Sequence, residues 1–327
     1  MSSEAAKPVR SGRTRLLAAA ALIVGILVFS AQDYILKSMS GTYPLTEAVA
    51  IRAAAAIVIL VVYIGAVEGF RKLIPRRAGA LLFRGAILMV AYGAYYMAFP
   101  AMKWAEVVTL FFMAPIFITA LAHPFLGERV GLGSWMAVLA GFLGVIITYW
   151  PSLDLVRSAG TGATDFNWAM LLPIIAALSY AIPQLMARRM RAAASASVMG
   201  FYQNLMYLVG ALVLAVIFSL GKFTHPGMHP SLVFLMRDWV FNNWTDILLL
   251  AVCGPVSAVG TVLLSQAYRM TEANFVASFE YSGIFWAAAG GFLGWGEVPD
   301  RYMIAGALLI VAAGLYMLFF GRRAAEP

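Results

Sequence analysis

Residues 105–149 read AEVVTLFFMAPIFITALAHPFLGERVGLGSWMAVLAGFLGVIITY, and residues 273–317 read ANFVASFEYSGIFWAAAGGFLGWGEVPDRYMIAGALLIVAAGLYM. In each copy an alanine opens an apolar run with an aromatic centre. A Phe-Leu-Gly approach then leads to a Gly-Glu break, and a glycine-punctuated apolar helix follows. Ala105 aligns with Ala273 at an offset of 168, and Glu128 with Glu297 at 169. A two-helix pattern that recurs at mid-chain and near the C-terminus predicts two halves built on one plan.

Working outward, the 327 residues are 62% hydrophobic and 12% charged, where a soluble domain carries roughly a quarter charged residues. Apolar runs long enough to cross ~30 Å of hydrocarbon, about 20 residues each, recur along the whole length. The pattern predicts spans near 16–38, 45–67, 79–100, 105–123 and 131–150, then 167–188, 196–220, 245–268, 273–294 and 301–320. A basic tail (1–15) precedes them, a polar linker (151–166) separates the halves 16–150 and 167–320, and a short tail (321–327) ends the chain. The start of the first span also resembles a signal peptide. Its removal would leave nine spans and break the repeat, so an uncleaved helix is expected. The longest loop, 221–244, carries Phe234, Trp239 and Trp244, which suits a segment lying on the membrane or an aromatic belt.

With a cytoplasmic N-terminus, fifteen of the 23 Lys and Arg residues fall in inner segments, six in outer segments, and Arg52 and Arg84 within spans. That asymmetry predicts both termini inside, at the cell inner membrane. It also explains the net charge of +8 without nucleic acid. Five spans per half is an odd number, so the second half enters from the opposite side. The expected fold class is therefore all-α integral membrane: ten transmembrane helices as two inverted five-helix repeats around a central cavity, with alternating access between them. The lone Cys253 and the His225/His229 pair in a Pro- and Gly-interrupted loop predict no metal and no cofactor.

Ionisable side chains inside hydrocarbon are costly and are functional candidates by default. Asp33 and Arg52 lie at similar depth on adjacent spans, and the repeat maps them onto Gln184 and Gln203 at an offset of 151. They are expected either to close outer and inner gates or to fasten helices together. Glu280 lies between Phe279 and Tyr281, where desolvation favours a protonated carboxyl. It is a candidate for proton coupling, for substrate contact or for a structural hydrogen bond. Glu47 and Glu106 at span ends are expected to be hydrated, Arg84 to snorkel toward water, and Glu128 and Glu297 to cap the helices that follow them. Aromatics and amides suit a small organic substrate, which makes Tyr92, Tyr96, Phe112, Tyr202, Asn204 and Tyr281 cavity candidates alongside Glu280.

AMKWAEVV, APIFITALAHPFLGER and FEYSGIFWAAAGGFLGWGEVPDRYMIAGALLIVAAGLY resemble the drug/metabolite transporter superfamily, and within it the ten-helix EamA-like transporters. The resemblance implies a duplicated five-helix unit, a central cavity and transport of small organic solutes such as amino acids, sugars, nucleotide-like metabolites or vitamins. The FEYS…GWGEVPD version is similar to bacterial members linked to uptake of S-adenosylmethionine or riboflavin. Where the first half has Pro115 the second has Gly283, so the two helices are expected to bend differently. The leading expectation is a secondary transporter working in the lipid bilayer, with protons as the candidate coupling ion. A membrane-embedded enzyme would need a nucleophile–base constellation, and a non-transporting scaffold or sensor would need a larger partner-binding loop. Neither accounts for the repeat.

Overall fold

The structure, a computed structural model, describes residues 12–102, 104–128, 130–158, 168–221, 223–241, 243–295 and 301–320. Those residues are helical throughout, with no strand among them. In order they form α1 (Gly12–Met39), α2 (Leu45–Tyr63), α3 (Ala78–Met97), α4 (Trp104–Phe111), α5 (Ala114–Leu126), α6 (Leu132–Ser158), α7 (Leu171–Arg189), α8 (Ala196–Gly221), α9 (Pro230–Met236), α10 (Trp244–Met270), α11 (Ala273–Ala277), α12 (Gly283–Trp295) and α13 (Arg301–Phe320).

Among the described residues, six helices are long and apolar enough to cross a membrane: α1, α2 with its π-helical extension to Glu68, α3, α7 with the 3-10 turn before it, α8 and α10. At ~1.5 Å per residue, twenty residues cover ~30 Å. Shorter apolar helices lie at Ala114–Leu126, Leu132–Gly144 and Ile304–Tyr316. Large side chains such as Val58, Val62, Phe83, Leu293 and Leu308 face outward. An apolar surface so spread over a helical bundle fits hydrocarbon rather than water.

Where single helices were expected at 105–123 and 273–294, the chain breaks. The first break falls between α4 and α5, at Phe112 and Met113, just before Pro115 at the start of α5. Proline has no N–H to donate to the carbonyl one turn back, so the ladder stops there. The second break carries a 3-10 turn, Glu280–Ser282, before Gly283 opens α12. The Ser278 hydroxyl donates to the Asn274 carbonyl (3.1 Å), a local bond that competes with helical continuation. Both copies thus interrupt at aligned positions, by different means. α5 ends at Gly127, whose φ of 67° is left-handed and whose N–H donates to the His123 carbonyl (2.8 Å); glycine adopts this conformation without a Cβ penalty.

Two other boundaries differ from expectation. α6 runs on to Ser158, through part of the stretch read as a linker. The 221–244 loop contains α9, which packs on α2, α3 and α8. Its Phe234 is buried, whereas Trp244 is exposed.

α1 packs along α10, and α3 along α7; α2 lies against α8 and α10, α8 against α2 and α3, and α6 against α13. Small residues allow these approaches. A Cβ built on Gly144 of α6 would lie 2.8 Å from the Gly306 carbonyl oxygen of α13, and one on Gly254 of α10 would lie 2.9 Å from the Arg52 carbonyl oxygen of α2. Backbone cannot retreat as a side-chain tip can. Gly254→Val should therefore destabilise by about 1–3 kcal/mol through overpacking, read as a lower melting temperature in detergent. An unchanged melting temperature would contradict the close α2–α10 approach.

Candidate substrate cavity

Two adjoining cavities lie among helices of both halves. The first, about 80 Å³, is bounded by Phe29 and Asp33 of α1, Tyr92 and Tyr95 of α3, Trp104 and Phe111 of α4 and Phe112 at the first break. From the second half come Tyr180 of α7, Leu264 of α10, and Glu280 and Gly283 at the second break. The second cavity, about 50 Å³, is bounded by Arg52 of α2, Tyr92 and Tyr96 of α3, Tyr207 of α8 and Leu235 of α9. Tyr92 lines both. Its ring meets Phe29 (centroids 6.0 Å apart), Tyr96 (6.1 Å), Tyr180 (6.3 Å) and Tyr207 (5.7 Å).

Each half contributes one carboxylate held by two tyrosines. Tyr95 and Tyr96 donate to the two oxygens of Asp33, each at 3.1 Å, and the Gln32 amide donates to the Tyr96 hydroxyl oxygen (2.7 Å). Tyr180 (2.9 Å) and Tyr268 (2.7 Å) both donate to Oε1 of Glu280. Such bonds to a charged acceptor are stronger than neutral ones and offset part of the desolvation cost. Arg52 is 1% exposed. Its guanidinium carbon lies 5.5 Å from the Tyr96 ring centroid and 5.3 Å from that of Tyr207, while Nε and both terminal nitrogens have no hydrogen-bond partner.

Polar contacts tie helices together at both ends of the bundle. At one end Arg188 pairs with Glu128 (3.0 Å) and Arg15 with Glu272 (3.4 Å). Glu272 lies between α10 and α11. Burial pushes its carboxyl up, but hydrogen bonds from the Thr271 hydroxyl and a backbone N–H, together with the charges of Arg15 and Arg188, leave it below the usual range. At the other end Lys37 donates to the carbonyls of Phe99 and Met102, Tyr43 to Asp246 (3.0 Å) and Trp239 to Thr46 (3.0 Å). Among the described residues no three His, Cys, Asp or Glu side chains gather closely enough to hold a metal ion.

A cavity walled by two broken helices and lined by buried charge is the arrangement in which discontinuous membrane helices handle solutes. The family model that matches this chain is the EamA-like transporter family, over residues 16–150. The chain is 29% identical over 296 residues to the pseudopaline exporter CntI of Pseudomonas aeruginosa, spanning 89% of this chain and 92% of that one. It is 27% identical over 271 residues to the riboflavin transporter of Vibrio cholerae (82% and 80%). Over 246 residues it is 26% identical to the S-adenosylmethionine uptake transporter of Rickettsia bellii (75% and 72%). A solved crystal structure matches with a TM-score of 0.71 over 95% of this chain and 99% of that one; at 15% identity this likeness speaks for the fold alone. The match selects a family of transporters rather than of enzymes.

Of the residues singled out in the sequence, Asp33, Tyr92, Phe112 and Glu280 meet at the first cavity, and Arg52 and Tyr96 at the second. The others lie off both. Tyr202 donates to the Leu73 carbonyl (2.8 Å), Asn204 joins α8 to Ser257 of α10 (3.1 Å), and Tyr281 donates to the Val138 carbonyl of α6 (3.0 Å). These are fastenings between helices. Asp33 and Arg52 form no direct ion pair; Tyr96 bonds the one and stacks on the other. Gln184 and Gln203 do not pair either. Gln203 accepts from Arg84 (3.5 Å) and donates to Tyr207 (3.0 Å), and Oε1 of Gln184 is buried without a partner.

Three polar residues depart further from expectation. Glu47 is buried rather than hydrated and accepts from the Val240 N–H (2.8 Å). Glu128 caps the other half's α11, accepting from the Ala273 N–H (3.0 Å), rather than the helix that follows it. Arg84 does not snorkel: it is buried and donates to the Pro183 carbonyl (3.1 Å), Gln203 and Ser265 (3.2 Å). Glu297 and the Glu106 side chain lie outside the described residues. Sequence reasoning missed Tyr180 and Tyr268, which hold Glu280, because their roles depend on contacts far along the chain.

Arg84→Met should strip those three acceptors of their donor and cost on the order of 1–3 kcal/mol. A thermal melt in detergent should show a clear drop. A melt like that of the unsubstituted protein would mean that α3 does not depend on this contact.

Proposed function

We propose that this chain is a secondary transporter that moves a small organic metabolite across the inner membrane by alternating access. Its ten spans form two inverted five-helix halves, with both termini cytoplasmic. The observation that carries this reading is the cavity bounded by both broken helices, with one tyrosine-held carboxylate from each half. Packing supports the inversion. Exchanging the five helices of one half for those of the other turns the α1–α10 contact into α7–α3 and α2–α10 into α8–α3, and leaves α2–α8 and α6–α13 unchanged; every one of these contacts is present. Lys37, at the end of α1, donates to carbonyls just past α3, and its repeat partner Arg188, at the end of α7, reaches the Arg269 carbonyl in the last turn of α10 (3.5 Å).

The cavities are far smaller than the roughly 300–1,000 Å³ of ligand pockets, and polar contacts hold helices together at both ends. A metabolite of amino-acid, nucleoside or vitamin size enters only when one end opens, and the two latches provide the two alternatives. Similarity to proteins named for riboflavin, S-adenosylmethionine and pseudopaline supports organic metabolites as the substrate class. Those names include both uptake and export.

Glu280 serves as the proton-coupling residue in this reading. It faces Tyr180 from α7, Tyr268 from α10, and Tyr92 and Asp33 across the cavity, and among the described residues no basic side chain lines that space. A carboxyl so placed is neutral when protonated and needs a cation or hydrogen-bond donors when not. Reconstituted in liposomes, the protein should move at least one of a panel of amino acids, nucleosides, riboflavin and S-adenosylmethionine in a saturable way. Its rate should differ between about pH 6 and pH 8, and Glu280→Gln should flatten that dependence. No transport of any panel member would remove the reading; an unaltered pH profile in Glu280→Gln would remove proton coupling alone.

A further inference from the structure

The second cavity holds a guanidinium that nothing in the protein satisfies. Arg52 lines it with its guanidinium carbon over the Tyr96 and Tyr207 rings, and a ring face attracts the cation without offering its N–H donors a lone pair. Nε and both terminal nitrogens are buried and unpartnered. A guanidinium offers five donors in a planar fork that matches a carboxylate or phosphate bidentately. Leaving such donors dry and unpaired costs far more than leaving them in water. The neighbouring carboxylate does not answer this demand: Asp33 and Arg52 form no ion pair, and Tyr96 contacts both. On the other side of Tyr92, the first cavity has the opposite character: two carboxylates and, among the described residues, no basic one.

We propose that the two cavities are two ends of one binding site, in which Arg52 takes the carboxylate of a zwitterionic solute and Asp33 with Glu280 takes its cationic amine end. Tyr92, shared by both cavities, is the wall between the ends, and turning its ring aside joins them. The aromatic rings around it suit an apolar or planar middle section. This inference rests on the transport reading above and adds the charge pattern of the substrate. The competing account is that Arg52 is held by its two rings alone and fastens α2 to α3 and α8.

The test uses the full-length protein in liposomes and matched triplets of solutes: an amino acid, its amide, and the corresponding amine without the carboxyl group, for tryptophan, tyrosine, histidine and methionine. In the unsubstituted protein the amino acids should be taken up, or compete for uptake, at least about tenfold better than either counterpart. Arg52→Gln should bring that ratio close to one, chiefly by weakening the acids, and Arg52→Lys should restore part of it. Equal handling of acids, amides and amines by the unsubstituted protein overturns the inference and leaves transport standing, and it does so without depending on any variant folding. Uptake confined to neutral or purely cationic solutes has the same meaning. An Arg52→Gln protein that handles acids and amides worse by the same factor also overturns it, assigning Arg52 to packing. No uptake of any solute, including the wider panel above, overturns both readings.

Discussion

Everything at the centre of this molecule follows from the cost of removing charge from water in a place where no water can follow. An ionised carboxylate in hydrocarbon stays only where protein dipoles replace its hydration. Here tyrosines supply them: two hydroxyls for Asp33, two for Glu280. That demand fixes where α1, α3, α7 and α10 stand relative to the two breaks. The hydroxyl is well suited to the task. It brings a donor on a rigid apolar body, so one residue both satisfies the charge and fills the space around it.

The same constraint, met differently, explains the two buried arginines. Arg84 gives its donors to a carbonyl, an amide and a hydroxyl on three helices of the other half, and so acts as a tie across the interface. Arg52, one helix away, is flanked by ring faces instead. A ring face attracts the cation but accepts none of its in-plane N–H bonds. The two residues have the same chemistry and opposite bonding states, and the difference lies in what faces them: acceptors on α7, α8 and α10 for Arg84, the rings of Tyr96 on α3 and Tyr207 on α8 for Arg52.

Much of this was legible from the chain itself. Apolar runs located the six long helices to within a few residues at each end, because hydrocarbon thickness sets span length directly. Asp33, Arg52 and Glu280 stood out because charge in an apolar run has few bland explanations. Partnership was not legible. Asp33 and Arg52 sit at similar depth, which suggested a pair, but Tyr96 intervenes, and depth says nothing about rotation around a helix axis. Arg84 looked close enough to an end to reach water, yet second-half helices cover it. Tyr202, Asn204 and Tyr281 have the right composition for a cavity and the wrong face. The break at Pro115 could be read from proline; the matching break before Gly283 needed Ser278 and the 3-10 turn, which no single residue announces.

The ring of Tyr92 has a consequence for selectivity that does not depend on charge. It touches four other rings, and aromatic pairs contribute about 0.5–1.5 kcal/mol each beyond the area they bury. Whatever moves Tyr92 forfeits some of these contacts. A solute with a flat π face replaces them with its own stacking, and a flexible aliphatic one does not. In the proposed site, the partition sorts solutes by what they return to it, as a lock whose spring must be rewound by the key.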